Sequence, residues 1–268
     1  MAKRAKFSLT PNDPSPVKIV NAHSQSDVLF VCEHAGREIP QCLGDLGISL
    51  DDMERHIAYD VGAASVARKL AEAFSAPLYI QPYSRLVIDC NRPLEAIDLI
   101  PEISDGTHIP TNTALSAAER LDRYQAIHRP FHAAIAKALD HAKEVSRPIL
   151  ITIHSFTPVM RASGEVRRVQ LGLLYNRDDA FSQAMLSAVQ TNFPWIEVAL
   201  NQPYDVSDEG DYTIPVHGEH RRLPHALIEI RSDCIADECG QARWAEIVGA
   251  AIKIALVSVT EIEQPPSI

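Results

Sequence analysis

The sequence predicts one α/β domain in three layers, with a mixed, largely parallel central sheet between two sets of helices. Three observations carry that prediction. Short apolar runs alternate along the chain with longer stretches of helical period. The runs are almost continuously apolar, as strands buried on both faces must be. Several of them end abruptly in ionisable residues, and in an open α/β sheet the carboxyl ends of strands are where ligands bind.

Residues 26–33 (SDVLFVCE) read as the first strand. Residues 52–74 (DMERHIAYDVGAASVARKLAEAF) read as a long amphipathic helix, with His56 and Asp60 on one face by their i, i+4 spacing. Residues 76–93 (APLYIQPYSRLVIDCNRP) give one or two strands. The stretch 115–145 is helical but interrupted or kinked near Pro130, whose ring removes a donor and crowds the preceding turn. Residues 147–158 and 169–176 are further apolar runs, 179–193 a helix, 196–204 an edge-like strand, 225–233 another buried strand and 242–262 a closing helix. Residues 94–115 and 201–225 lack any such period and are rich in Pro, Asp, Gly and His. Irregular loops of that length are often functional. Residues 1–25 and the tail 263–268 are expected at the periphery, leaving 26–262 as the domain proper.

Composition narrows the function. A formal charge of −10 argues against a broad nucleic-acid surface, which needs excess Lys and Arg, and favours a small-molecule partner. No run approaches the roughly 20 apolar residues of a membrane span, and the basic N-terminus has no apolar segment after it. A soluble, cytoplasmic protein is therefore expected. The five cysteines, Cys32, Cys42, Cys90, Cys234 and Cys239, show no C-x-x-C pair and fit a reducing compartment.

The polar residues at the ends of the apolar runs are the chemical signal. The first run delivers Glu33 and His34, the 85–93 stretch Asp89, Asn91 and Arg92, the 149–156 stretch His154 and Ser155, and the last Glu229, Arg231 and Asp233. One such ending is ordinary. Four in a chain of βαβ type are expected to converge at one sheet edge. Two histidines with carboxylates nearby are the ingredients of a catalytic zinc site, which takes three N/O ligands and keeps one position open. A lone histidine after an apolar strand is more often a satisfied core or loop group, and the His56/Asp60 spacing equally suits a surface salt link.

Through the pieces VCEHAGREIP, HIAYDVGA, YSRLVIDCNRP, IHSF, PYDVSDEGDYTIPVHGE and HALIEIRSD, in that order from about residue 28 to 233, the chain resembles the N-formylglutamate amidohydrolase (N-formylglutamate deformylase) family. That family is distantly similar to zinc carboxypeptidases and to the aspartoacylase and succinylglutamate desuccinylase group, so the resemblance implies a zinc-carboxypeptidase-like fold and a 26–262 catalytic domain. It also implies a metal-dependent hydrolase acting on a linear amide, with one Zn²⁺ per chain. The first ligand is then His34 and the later one His154; Asn91 and Arg92 grip a substrate carboxylate, and Glu229 is the general base. Two positions depart from the pattern. Arg37 stands where a His-x-x-Glu motif has its Glu, with Glu38 one residue on, and Glu-His-Ala-Gly replaces the Pro-His-Ser-Gly of typical deformylases. The carboxylate ligand is expected to be Asp60, oriented by His56, ahead of Glu33 or Glu38.

Amide hydrolysis explains the set. Zinc lowers the pKa of its water toward about 7, and Glu229 passes the proton to the leaving amine. Arg85 or Arg231 is expected to stabilise the oxyanion, and Arg92 to bind a carboxylate bidentately, although a structural salt bridge to Asp89 is its alternative. The 201–225 loop is expected over the pocket, with His217 or Tyr212 touching substrate. The expected substrate is a small anionic N-acyl amino acid such as N-formylglutamate, with no nucleic acid or membrane partner. A metal-free binding protein on the same fold, or a zinc amidase or carboxypeptidase with another substrate, are the alternatives. Neither a G-x-S-x-G elbow nor a Gly-rich phosphate loop occurs.

Overall fold

The structure, a computed structural model, describes residues 6–144 and 146–262; the expected peripheral tail 263–268 lies outside them. Among these residues nine strands and six α-helices follow in order: β1 Lys18–Val20, β2 Val28–Cys32, α1 Leu50–Met53, α2 Ala63–Ala73, β3 Leu78–Ile80, β4 Ile103–Ser104, β5 Thr107–His108, α3 Ala117–Arg123, α4 Arg129–Lys143, β6 Ile149–Phe156, β7 Leu171–Leu174, α5 Ala180–Asn192, β8 Val198–Leu200, β9 His225–Arg231 and α6 Glu238–Ile262. Seven strands form one sheet in the order β1-β3-β2-β6-β9-β7-β8. The run from β3 through β9 is parallel; β1 against β3 and β7 against β9 are antiparallel, and β8 is parallel to β7 at the edge. The mixed, largely parallel sheet is thus present, with residues 196–204 contributing its edge strand. No helix among the described residues is long and apolar enough to cross a membrane.

The alternation of side chains along each strand sorts the core. Phe30, Ile151, Ile153, Ile228 and Ile230 face a layer of α2, α5 and α6, packing on Leu70, Met185 and Val248. Leu29, Val31 and Leu150 face the other way, onto Phe131, Ile135 and Leu139 of α4 and onto Leu86, Val87 and Ile88. Burying each such side chain contributes roughly 1.5–3 kcal/mol, so both faces are driven by the same term.

Four expectations change. Residues 52–74 are not one helix: α1 stops at Met53, turns follow, and α2 starts only at Ala63. Asp60 causes the break, because its N–H donates to His34 O (2.8 Å) and its carboxylate turns into the protein. His56 and Asp60 therefore do not share a helix face. Residues 85–93 are not a strand but a series of turns, with Val87 N–H bonded to Ser84 O (2.9 Å) and Asp89 N–H to Leu99 O (2.8 Å). Its apolar residues are buried under α4 rather than in the sheet. The N-terminal segment is partly structural, since Lys18–Val20 is the edge strand β1 and Phe7 is buried. The 94–115 loop carries the hairpin β4–β5, turned by Asp105 and Gly106. The interruption near Pro130 is real: a π-helical turn, Tyr124–His128, separates α3 from α4.

The start of α2 depends on Gly62, whose φ is 80° and where an added Cβ would sit 2.3 Å from Ile235 O. Gly62→Ala is expected to destabilise the fold by at least about 2 kcal/mol, through backbone strain and that contact. The urea midpoint should fall accordingly; an unchanged midpoint removes this account of how Asp60 is turned inward.

Candidate active site

Strand register builds the site. His154 on β6 is paired with Glu229 on β9, and the two-residue period points both side chains away from the α2/α5/α6 layer. β2 ends one strand over, so Glu33 and His34 emerge beside His154. Glu33, His34, Asp60, His154 and Asp89 are each at most 3 % exposed.

Three donor atoms converge. His34 Nδ1 and His154 Nδ1 are 3.1 Å apart, and Asp60 Oδ2 lies 3.3 Å from the first and 2.9 Å from the second. Tetrahedral ligands at zinc bond lengths of about 2.0–2.1 Å are separated by about 3.3 Å, so the spacing suits one small cation. The opposite ring edges support this. His34 Nε2 meets Asp89 Oδ1 at 2.7 Å, and His154 Nε2 lies 3.0 Å from Glu33 Oε2, an ion-pair approach out of line for a hydrogen bond. Carboxylates there favour the proton on Nε2 and leave both Nδ1 lone pairs aimed at one point. Burial pushes both imidazoles down, but the carboxylates around them overcome it and hold both above the ordinary histidine value. Burial likewise works against the charge on Asp60 and Asp89, yet His34 and Arg85 keep both ionised. Such a concentration of carboxylates attracts a cation. The residues present fit a metal ion, and the carboxylate at the convergence point is Asp60. Glu33 stands behind His154, while Glu38 is exposed and bridged to Tyr83.

A cleft of about 300 Å³ opens on this cluster, lined by His34, His154, Glu229, His56, Arg85, Asn91 and Arg92, with Tyr204, Asp205 and Asp211 on its wall and Leu174 and Leu227 beside them. Glu229 Oε2 is buried without a hydrogen-bond partner among the described residues, and burial raises this carboxyl to about 7. Arg85 lines the cleft with its guanidinium bonded to Asp89 (2.7 and 3.0 Å) and Asp60 (3.2 Å). Arg92 is bonded not to Asp89 but to Asp98 (2.8 Å), with Asp211 at 3.4 Å, and its Nη2 has no hydrogen bond among the described residues.

Three expected site residues lie elsewhere. Arg231 does not line the cleft: it opposes Phe156 at the outer end of β9 and is bonded to Asp233 (2.7 Å) and Arg168 O (2.6 Å). His217 is buried behind the wall, 3.0 Å from His132. Tyr212 packs its ring on His128 and His132 and likewise stays out of the cleft lining. Nor does His56 orient Asp60; its Nε2 lies 3.4 Å from Asp105 Oδ2 on the β4–β5 hairpin.

Residues 26–236 match the model of the family described as N-formylglutamate amidohydrolase. The chain belongs to the N-formylglutamate amidohydrolase family. It is thus a hydrolase of the class that acts on the amide bond of N-formylglutamate. Among solved structures it is similar to a gene product of Agrobacterium tumefaciens, with 38% identity and a TM-score of 0.90, covering 94% of this chain and 99% of that one. It also resembles the N-formylglutamate amidohydrolase of Ralstonia eutropha in fold, with a TM-score of 0.68 at 18% identity, covering 92% of this chain and 100% of that one. No curated protein matches the chain.

In this family member the wall residues Tyr204, Asp205 and Asp211 were not singled out by sequence, because they sit in a loop without period; its length, its composition and the resemblance of residues 203–219 marked the loop only as a whole. Behind the wall stands a column of histidines. His128 donates from Nε2 to Arg92 O (2.9 Å) and His132 from Nε2 to Cys90 O (2.6 Å), which leaves His132 Nδ1 to accept from His217. Burial pushes His128 down to about 4 and His217 to about 3, and lowers His132 as well.

These histidines stay neutral when folded but take protons near pH 6.5 when unfolded, so stability falls as pH drops below about 6.5 and levels off under the folded values. At pH 5 the His128 contribution is a loss of about 2 kcal/mol relative to pH 7. Urea unfolding of His128→Gln should show a shallower decline over this range than the parent protein; parallel declines would refute the assignment.

Proposed function

We propose that the protein is a zinc-dependent amidohydrolase that cleaves N-formyl-L-glutamate to formate and glutamate. The observation that carries this reading is the convergence of His34 Nδ1, Asp60 Oδ2 and His154 Nδ1 on one point beside the unpartnered carboxyl of Glu229. Zn²⁺ held by these three side chains supplies Lewis acidity, which makes water a usable nucleophile near neutral pH. The protein's own groups do the rest. Glu229, raised toward neutrality by burial, takes a proton from the attacking water as the oxygen–carbon bond forms. It then gives that proton to the amine nitrogen as the carbon–nitrogen bond breaks.

Arg92 lines the cleft with Nη2 unused, which suits one substrate carboxylate. Arg85 is engaged by Asp60 and Asp89, so its first task is to keep those carboxylates ionised and in place. Asn91 has both acceptor positions and one of its two N–H donors occupied within the protein, leaving one N–H for substrate. The anionic substrate is read from Arg92 together with the family; Arg231 contributes nothing to it.

Metal analysis and a panel of N-acyl glutamates and aspartates test the proposal. Purified protein should hold one zinc per chain, lose activity with a chelator and regain it with zinc. His34→Ala and His154→Ala should lose the metal; full retention in both refutes the site. Glu229→Gln should lower kcat by about 10²–10⁴-fold with little change in KM, and Arg92→Ala should chiefly raise KM. If no N-formyl or other N-acyl acidic amino acid is cleaved while an uncharged amide is, the substrate assignment fails.

A further inference from the structure

Asn91 is 3 % exposed, and its side chain spans two loops distant in sequence. Its Nδ2 donates to Asp211 Oδ1 (3.0 Å), and its Oδ1 accepts from the N–H groups of Tyr212 (3.2 Å) and Thr213 (3.0 Å). The second oxygen of Asp211 accepts from Ser207 N–H (3.1 Å), which closes a tight turn over 207–211. The neighbouring Arg92 reaches the same turn through Gly210 O and Asp211 Oδ1 (3.4 Å). On its other side, the backbone N–H of Asn91 donates to Asp89 Oδ1 (2.8 Å), the oxygen that also meets His34 Nε2 (2.7 Å). Apart from the bond from Gly210 N–H to Ser207 Oγ inside it (2.9 Å), the turn's remaining side-chain ties run from Asp208 to Asn176 and Arg177 and lie at the exposed surface, where ion pairs hold weakly.

We propose that Asn91 is a positioning residue, a buried latch that holds the cleft wall around Gly210 and Asp211 in register with Arg92 and with the turn that carries Asp89. The latch rests on the proposed reaction only for its kinetic readout. Arg92 and the wall share one anchor, so the geometry offered to substrate depends on a side chain whose main bonds are internal. The bonding also fixes which atom does what: Asp211 Oδ1 faces the amide nitrogen of Asn91, and Oδ2 faces a backbone donor. Exchanging the two residues therefore restores the bond between them, with Asn at 211 donating to Asp at 91 while the backbone donors keep their acceptors; only the 3.4 Å contact from Arg92 to Asp211 Oδ1 is given up.

The test compares the parent enzyme, Asn91→Ala, Asn91→Asp and the double variant Asn91→Asp/Asp211→Asn, using kinetics on N-formylglutamate and amide hydrogen exchange. Asn91→Ala should raise KM about tenfold and alter kcat far less, and should speed exchange at residues 207–213 while β6 and β9 stay protected. Asn91→Asp sets two carboxylates against each other and should be at least as impaired. The double variant should recover protection at 207–213 to within about threefold of the parent, while KM stays raised because the Asn91→Asp change removes the N–H left for substrate. Unchanged exchange in Asn91→Ala, or a double variant no better protected at 207–213 than Asn91→Asp, overturns the latch. Loss of protection throughout β6 and β9 in Asn91→Ala would report general unfolding, and the exchanged pair then decides. If the parent enzyme does not cleave N-formylglutamate, the reaction is wrong while the exchange data still judge the latch.

Discussion

Buried charge is the constraint from which the rest of this molecule follows. Glu33, His34, Asp60, Asp89 and His154 are almost wholly removed from water, together with Glu229 at the adjoining strand end. An isolated ion placed there is prohibitively costly, so each group must be paired or bonded or, as Glu229 is, raised toward its neutral form. The chain meets that demand by abandoning regular structure where it would interfere. The helix that would have run through residues 54–62 gives way so that Asp60 can reach both imidazoles and the N–H of Ser155 (3.2 Å). Residues 85–93 fold into turns so that Arg85 can close on Asp60 and Asp89 together.

The same constraint separates two zones of opposite electrostatic character. Around His34 and His154, carboxylates hold the imidazoles above their ordinary value and invite a cation. A short distance behind the wall, His128, His132 and His217 have carbonyls and one another for partners, and burial keeps them neutral. Both zones meet at residues 89–92: Asp89 serves the first, while the carbonyls of Cys90 and Arg92 serve the second.

How far this was legible from sequence depended on where each residue sits. His34, His154 and Glu229 could be found because they end or adjoin buried strands, and an apolar run that stops at an ionisable group is visible in one dimension. Asp60 was found for an inadequate reason: its spacing from His56 suggested a shared helix face, whereas a backbone bond to His34 O turns it inward. The run RLVIDC looked like a strand because burial selects apolar residues whether or not a sheet is formed, and only the local turn bonds distinguish the two. Arg231 failed because it lies two residues beyond Glu229 on the same face, a step of about 6.6 Å along a strand, which carries it past the cleft to Asp233. The wall residues Tyr204, Asp205 and Asp211 are placed by bonds to distant loops, and such pairings leave no period to read.

The antiparallel partner of Glu229 on β7 is Gly172. With no side chain there, the carbonyl of Gln202 lies directly against the sheet, where an added Cβ would meet it at 2.0 Å and Leu174 Cδ1 at 2.9 Å. That carbonyl immediately precedes Pro203 and the segment bearing Tyr204 and Asp205. A missing side chain thus lets the segment bearing two cleft residues pack directly on the strand paired with Glu229. Any larger residue at position 172 must push that segment, and with it the cleft residues Tyr204 and Asp205, away from the strand that faces Glu229.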